Sequence, residues 1–173
     1  ASSRQVEFDT AAFGQGMAIS PIETVRALAS LGNGGYLVTP HLVKAIKEEE
    51  GVVRPLGWGP PVQILKPETS TEITRMLTAV VDNAFAPAMR FPNYSVAAKT
   101  GTAQVADPVN GGYYSDVYLH SFFGYFPSFN PRFIVFLFAN KPVGAQYSAE
   151  TWGSYFHSMT QFLINYYNIP PDR

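Results

Sequence analysis

The sequence predicts an α+β fold, an antiparallel sheet flanked by helices, and three observations carry that prediction. Three strand-like runs sit together late in the chain, at 95–105, 118–126 and 132–140. The second and third are joined by "PSFNP", a Pro/Asn turn of hairpin length, which makes them antiparallel neighbours. The helical patterns lie before and after this block and do not alternate with its strands, so no βαβ crossover is indicated.

The first clear element opens at "SPIE". Ser20 suits an N-cap, Pro21 the first helical position, and Glu23 completes a capping box. Ile22, Val25, Leu28 and Ala29 then form an apolar face, and "GNGG" at 32–35 stops the helix. "YLVT" and "HLVKAI" read as two short strands split by Pro40, and "EEEG" as an exposed turn. From 52 to 66, Gly and Pro break the pattern into extended loop with short strand pieces. A second helix is predicted over 69–83. Thr69 and Glu72 form its capping box, and Ile73, Met76, Leu77, Val80 and Val81 its core face. "AFAPAMRFPN" is loop, and "ADPVNGGYYSD" a longer polar loop between the first two late strands. Trp152, Phe156, Met159, Phe162 and Leu163 place a last helix before "IPPDR", covering the sheet. Three strands this apolar need further strands or a second layer to bury both faces.

At 173 residues the chain has the size of one domain with one core. Charged residues are only 14%, and the net charge of −1 leaves no basic field for nucleic acid or an anionic membrane surface. The apolar run "FIVFLFA" is too short to span a bilayer, and the opening "ASSRQVEFDT" is too polar for a signal peptide. There is no cysteine, which removes disulfides and thiolate metal sites. His41, His120 and His157 lack metal-ligand spacing, so neither metal nor cofactor is called for.

The chemistry concentrates in "SVAAKTGTAQV". This strand has shed every charge except Lys99, which is followed by Thr100, Gly101 and Thr102. Side chains alternate along a strand, so Lys99 and Gly101 face one way and the two threonines the other. Glycine beside lysine leaves bare backbone that a ligand can approach, next to a cation and hydroxyls suited to an acyl group bearing a carboxylate. The same residues also describe an edge strand guarded by lysine against aggregation, with threonines for β propensity. Spacing alone leaves both readings open.

"KTGT" resembles the K-T-G motif of serine transpeptidases and β-lactamases. Its flanks, "AAKTGTAQV", are similar to class B penicillin-binding proteins, which cross-link bacterial peptidoglycan. "FGQGMAISPIETVRALASLGNGG" resembles their stretch before the sheet and "HSFFGYFPSFNPRFIVFLFANKP" the hairpin after K-T-G. "IPPD" resembles the end of their domain. These matches run from Phe13 to Asp172 in the family's order.

The resemblance implies part of a penicillin-binding-protein/β-lactamase-like transpeptidase fold. It also implies acyl transfer from D-Ala-D-Ala stem peptides of peptidoglycan, with β-lactam antibiotics as mimics of that end. Lys99 would keep the field around a second serine positive and help its proton transfer. Thr100 and Thr102 would hydrogen-bond the substrate carboxylate, the Thr102 N–H would serve as an oxyanion donor, and Gly101 would let the acyl chain lie along the strand. Gln104 and Asp107 are candidates for lining the groove, against the plainer reading of strand-end polar residues meeting water. His120, on the neighbouring strand, is a candidate to approach the site.

The chain also departs from the family pattern. The family's nucleophile lies in S-x-x-K, yet the residues three before Lys44, Lys47, Lys66, Lys99 and Lys141 are His41, Lys44, Gln63, Val96 and Phe138. "SFN" at 128–130 matches the family's S-x-N by letters only, since it follows K-T-G and sits in a Pro-bounded turn. The expectation is therefore that residues 1–173 are the C-terminal portion of a transpeptidase domain, inactive alone, with the serine in an upstream half that would be its first partner. A periplasmic or outer-face envelope location with an upstream membrane anchor follows by resemblance. So do division or elongation proteins as partners, with the "ADPVNGGYYSD" insertion resembling the septal type. The rival readings are a β-lactam-sensing module and a non-catalytic scaffold that has lost its serine.

Overall fold

The computed structural model describes residues 5–173; the first four, part of the polar opening decapeptide, lie outside the described residues. The element order is α1 (Gln5–Ala11), α2 (Pro21–Ala29), β1 (Tyr36–Leu37), β2 (Ala45–Lys47), β3 (Val53–Pro55) and β4 (Val62–Gln63). There follow α3 (Pro67–Ala84), a 3-10 turn at Pro87–Met89, β5 (Ala97–Ala106), β6 (Tyr113–Phe126), β7 (Phe133–Asn140) and α4 (Ser148–Tyr166). β5, β6 and β7 form one antiparallel sheet in that order, while β1–β4 and β2–β3 are separate two-stranded pairs. The predicted α+β class and the late hairpin are thus observed. α1 was not foreseen, because seven residues are too few for an apolar stripe to stand out.

Opposite faces of the sheet are set by register. Lys99 lies across from Phe123, Gly101 from Ser121 and Thr102 from His120, while on the other side of β6 Phe123 meets Phe136 and Ser121 meets Phe138. Ala98, Phe122, Phe126 and Val135 point to the face that α4 covers with Phe156 and Ile164, and Val81 of α3 and Phe85 just after it complete this core. The Phe122 and Phe156 rings stack at 4.5 Å between centroids. That contact needs Gly124, since a Cβ there would lie 2.4 Å from the Phe156 ring and 2.9 Å from the Ala97 carbonyl oxygen.

Two predicted helix faces are corrected. α2 seals no side chain completely: on its predicted face Val25, Leu28 and Ala29 are half-buried, and Ile22 is 57% exposed. On α3 the buried residues are Ser70, Thr74, Thr78 and Val81, whereas Met76 is exposed. Hydrogen bonds explain this. Ser70 Oγ donates to the Leu31 carbonyl at 2.7 Å, Thr74 Oγ1 pairs with the Tyr125 hydroxyl at 2.9 Å, and Thr78 Oγ1 donates to Ser128 Oγ at 2.9 Å. This bonded polar seam is buried alongside Val81, and of the predicted apolar stripe Val80 also packs against the core. α3 also starts earlier than predicted, with Lys66 as N-cap and Pro67 in the first turn. Glu72 is bound to Arg75 at 2.6 and 2.9 Å, and this bond holds its carboxyl below the usual range. By contrast, the predicted Ser20 cap is present, its Oγ accepting from the Glu23 N–H at 3.4 Å.

The start of β5 is tied down from the end of the chain. Asp172 accepts the Ser95 N–H at 2.7 Å and its hydroxyl as well, while Arg173 forks onto Asp82 at 2.7 and 2.8 Å. Ser128, in "SFN", is fully buried at the β6–β7 turn and bonded to Ser95 and Thr78, which makes it a hairpin-tip residue. Among the described residues no helix is long and apolar enough to cross a membrane.

Candidate active site

β5 changes character along its length. Val96, Ala97 and Ala98 are sealed completely, and the next residue, Lys99, is exposed. The small alanines let α3 and α4 close over the first part of the strand. Beyond Ala98 the strand emerges as one wall of a cleft of about 460 Å³ between the sheet and α2. Lys99, Thr100 and Gly101 line this cleft, with Ser121, Phe123 and Phe136 across the sheet and Met17, Ile19 and Leu28 opposite. Lys99 Nζ donates to the Thr100 carbonyl at 2.9 Å, which curls the ammonium along its own strand at the cleft wall.

Gly101 sits under Ser121, and a Cβ at 101 would fall 2.5 Å from Ser121 Oγ. Bare backbone therefore meets the serine hydroxyl where any larger residue would displace it. Thr102 stands on the other side of the strand. Its Oγ1 accepts the backbone N–H of Ser148, the first residue of α4, at 3.1 Å. Ser148 is itself fully buried and donates its hydroxyl to the Ser121 carbonyl at 2.5 Å.

The remaining candidates are not in the cleft lining. Gln104 Nε2 donates to the Tyr114 carbonyl at 3.1 Å, bridging β5 to β6 beside a register shift between Gln104 and Ala106. Asp107 caps its own turn, accepting from the Val109 and Asn110 N–H groups and the Asn110 side chain at 2.9 to 3.1 Å. Led by the Asn110 side chain, these bonds hold its carboxyl below the usual range. His120 is fully buried beneath the sheet, with Nδ1 2.8 Å from Thr151 Oγ1. So the structure gathers Lys99, Thr100 and Gly101 in one cleft, leaves Thr102 at the junction with α4, and sends Gln104, Asp107 and His120 elsewhere. Ser121 and Ser148 escaped sequence reasoning. Only the pairing register, which no local motif encodes, puts Ser121 opposite Gly101.

A cation, bare backbone and hydroxyls at the wall of an apolar cleft are groups that suit an anionic, peptide-like ligand. A family model described as the penicillin binding protein transpeptidase domain matches residues 1–158. Penicillin-binding protein PbpB of Mycolicibacterium smegmatis is 27% identical over 94% of this chain and 26% of its own length. The peptidoglycan D,D-transpeptidase FtsI homolog of Mesostigma viride is 27% identical over 98% of this chain and 31% of its own. The crystal structure of penicillin-binding protein 3 from Mycobacterium tuberculosis complexed with aztreonam superposes with a TM-score of 0.83 at 28% identity. That match covers 96% of this chain and 39% of the crystallised one. The chain thus spans about a quarter to a third of the length of these curated relatives.

Proposed function

Since this chain belongs to the penicillin-binding protein transpeptidase domain family, we propose that it supplies the lysine–threonine strand of a peptidoglycan D,D-transpeptidase. The observation that carries this reading is the placement of Lys99. It is the first residue of β5 to leave the sealed core, and it stands at a cleft wall beside Gly101. A lysine kept only to guard an edge strand would need no cleft.

In the proposed reaction, a serine oxygen attacks the carbonyl carbon of the penultimate D-Ala. The C–N bond to the terminal D-Ala breaks, the departing amine takes up a proton, and an ester remains on the serine. An amine of a second stem peptide then attacks that ester, forming the cross-link amide and returning the serine hydroxyl. These 173 residues contain no S-x-x-K, so the serine is assigned to a segment of the same domain outside them, packed on the cleft side of the sheet. Lys99 keeps the field around a second serine, also assigned outside these residues, positive and helps its proton transfer. The Thr102 N–H donates to the carbonyl oxygen as it becomes an oxyanion, a role whose loss typically costs about 2.7–4 kcal/mol. Thr100 and Thr102 hold the terminal carboxylate, and Gly101 leaves room for the acyl chain along β5. This reading puts the proposed reaction at the outer side of the bacterial membrane, where stem peptides are exposed and β-lactams would compete for the site.

Acylation of the full-length protein by a labelled penicillin tests the reading. Lys99→Ala is expected to lower the acylation rate by about 100-fold or more with an unchanged melting temperature. Undiminished labelling would end the assignment of Lys99. The 173-residue chain alone is expected to show no adduct by intact mass, and a stoichiometric shift would contradict the missing nucleophile.

A further inference from the structure

Building on the transpeptidase reading, we propose that the first turn of α4, clamped by His120, is a positioning device that makes the Thr102 hydroxyl a hydrogen-bond donor to the substrate carboxylate. A hydroxyl has one proton and two lone pairs. Thr102 Oγ1 accepts the Ser148 N–H at 3.1 Å, and its own proton has no acceptor among the described residues. One lone pair is therefore committed inward and the proton is left to point to the open edge of β5. Ser148 is the first residue of a nineteen-residue helix, so this N–H is one of the end amides without an intrahelical partner. It also carries the positive end of the helix dipole, which polarises the hydroxyl toward donation.

The clamp beneath fixes that geometry. Ser148 Oγ holds the Ser121 carbonyl at 2.5 Å, and Trp152 Nε1 donates to the His120 carbonyl at 3.3 Å. His120 lies directly across from Thr102 in the β5–β6 register, and its Nδ1 bonds Thr151 Oγ1 at 2.8 Å. Its Nε2 is buried with no partner among the described residues. An apolar residue of similar volume would fill the same space without leaving a buried nitrogen unpaired. What imidazole adds is the Nδ1 bond, which pins the turn bearing Ser148 at the height of Thr102. A bond that merely docked α4 would affect every substrate alike, whereas a positioning bond acts through the carboxylate.

The test compares acylation of the full-length protein by benzylpenicillin and by its methyl ester, which keeps the β-lactam and removes the anion. Thr102→Val sets the reference by deleting the hydroxyl, and Thr102→Ser restores it. His120→Phe is expected to lower the free-acid rate about tenfold while changing the ester rate less than about twofold, the loss expected for one hydrogen bond to a charged group. His120→Asn, whose amide substitutes for Nδ1, is expected to recover most of the preference. Thr151→Val removes the same bond without changing volume and serves if His120→Phe does not fold. Equal losses for acid and ester, or an unchanged ratio in both His120→Phe and Thr151→Val, overturn the positioning role. A wild-type protein that neither compound acylates overturns the transpeptidase reading instead.

Discussion

On one side of β6, Phe122, Gly124 and Phe126 are sealed beneath α4; one residue along, Leu119, Ser121 and Phe123 look into a cleft. The two faces share the same strands and a similar richness in aromatic residues. On the sealed face every ring meets another, as Phe122 does Phe156 and Phe85. On the cleft face Phe138, although stacked on Phe136 at 5.7 Å between centroids, remains 47% exposed and Leu119 37%. Runs such as "FIVFLFA" are apolar at both parities, the pattern of strands covered on both sides. The face that α4 covers forms the packed core, and the other opens on the cleft, with Lys99 and Gly101 directed to it.

Substitutions on the two faces sharpen that contrast. Phe122→Ala is expected to cost about 3–5 kcal/mol of unfolding free energy in urea titration, with its partly exposed neighbour Phe123→Ala costing less than half of that. Equal costs would mean that the cleft face is as much a core as the other. Next in size is Gly124→Ala, where the new methyl meets the Phe156 ring and the Ala97 carbonyl. Overpacking of this kind costs about 1–3 kcal/mol and would show as a lower urea midpoint. Gly101→Ala meets only the Ser121 hydroxyl, a rotatable group, so its stability loss is expected to stay within about 1 kcal/mol. Its effect should appear as slower penicillin acylation, because the methyl would stand in the proposed path of the acyl chain. The smallest effect belongs to Phe138→Ser, expected to shift stability by no more than about 0.5–1 kcal/mol. A larger loss would show that the exposed ring is part of the packed structure.

The fold was readable where hydrophobic period and turn chemistry agree. β7 and the α4 helix emerged close to their observed limits because their apolar residues recur at strand and helix spacing. β6 starts at Tyr113 and not at the predicted 118, because "YYSD" joins the ladder through backbone groups that leave no hydrophobic trace. The buried seam of α3 stayed hidden for a related reason. Thr74 and Thr78 face inward for the Tyr125 and Ser128 hydroxyls, whose positions are set by distant parts of the chain. In the site, alternation alone placed Lys99 and Gly101 on one face. Ser121, Ser148 and the His120–Thr151 bond became visible only with the register and the docking of α4.

The unequal lengths of the strands carry one more consequence. β7 ends its pairing at Leu119, apart from the Lys141 N–H that reaches the Tyr118 carbonyl at 2.9 Å, so among the described strands residues 113–117 of β6 form a tongue that pairs with β5 only. Two-stranded ribbons are marginal by themselves, and the slip between Gln104 and Ala106 interrupts this one near its root. Deuterium should enter the amides of 106–117 well before those of 121–126. The tongue can fray and re-form while the floor beneath it stays shut.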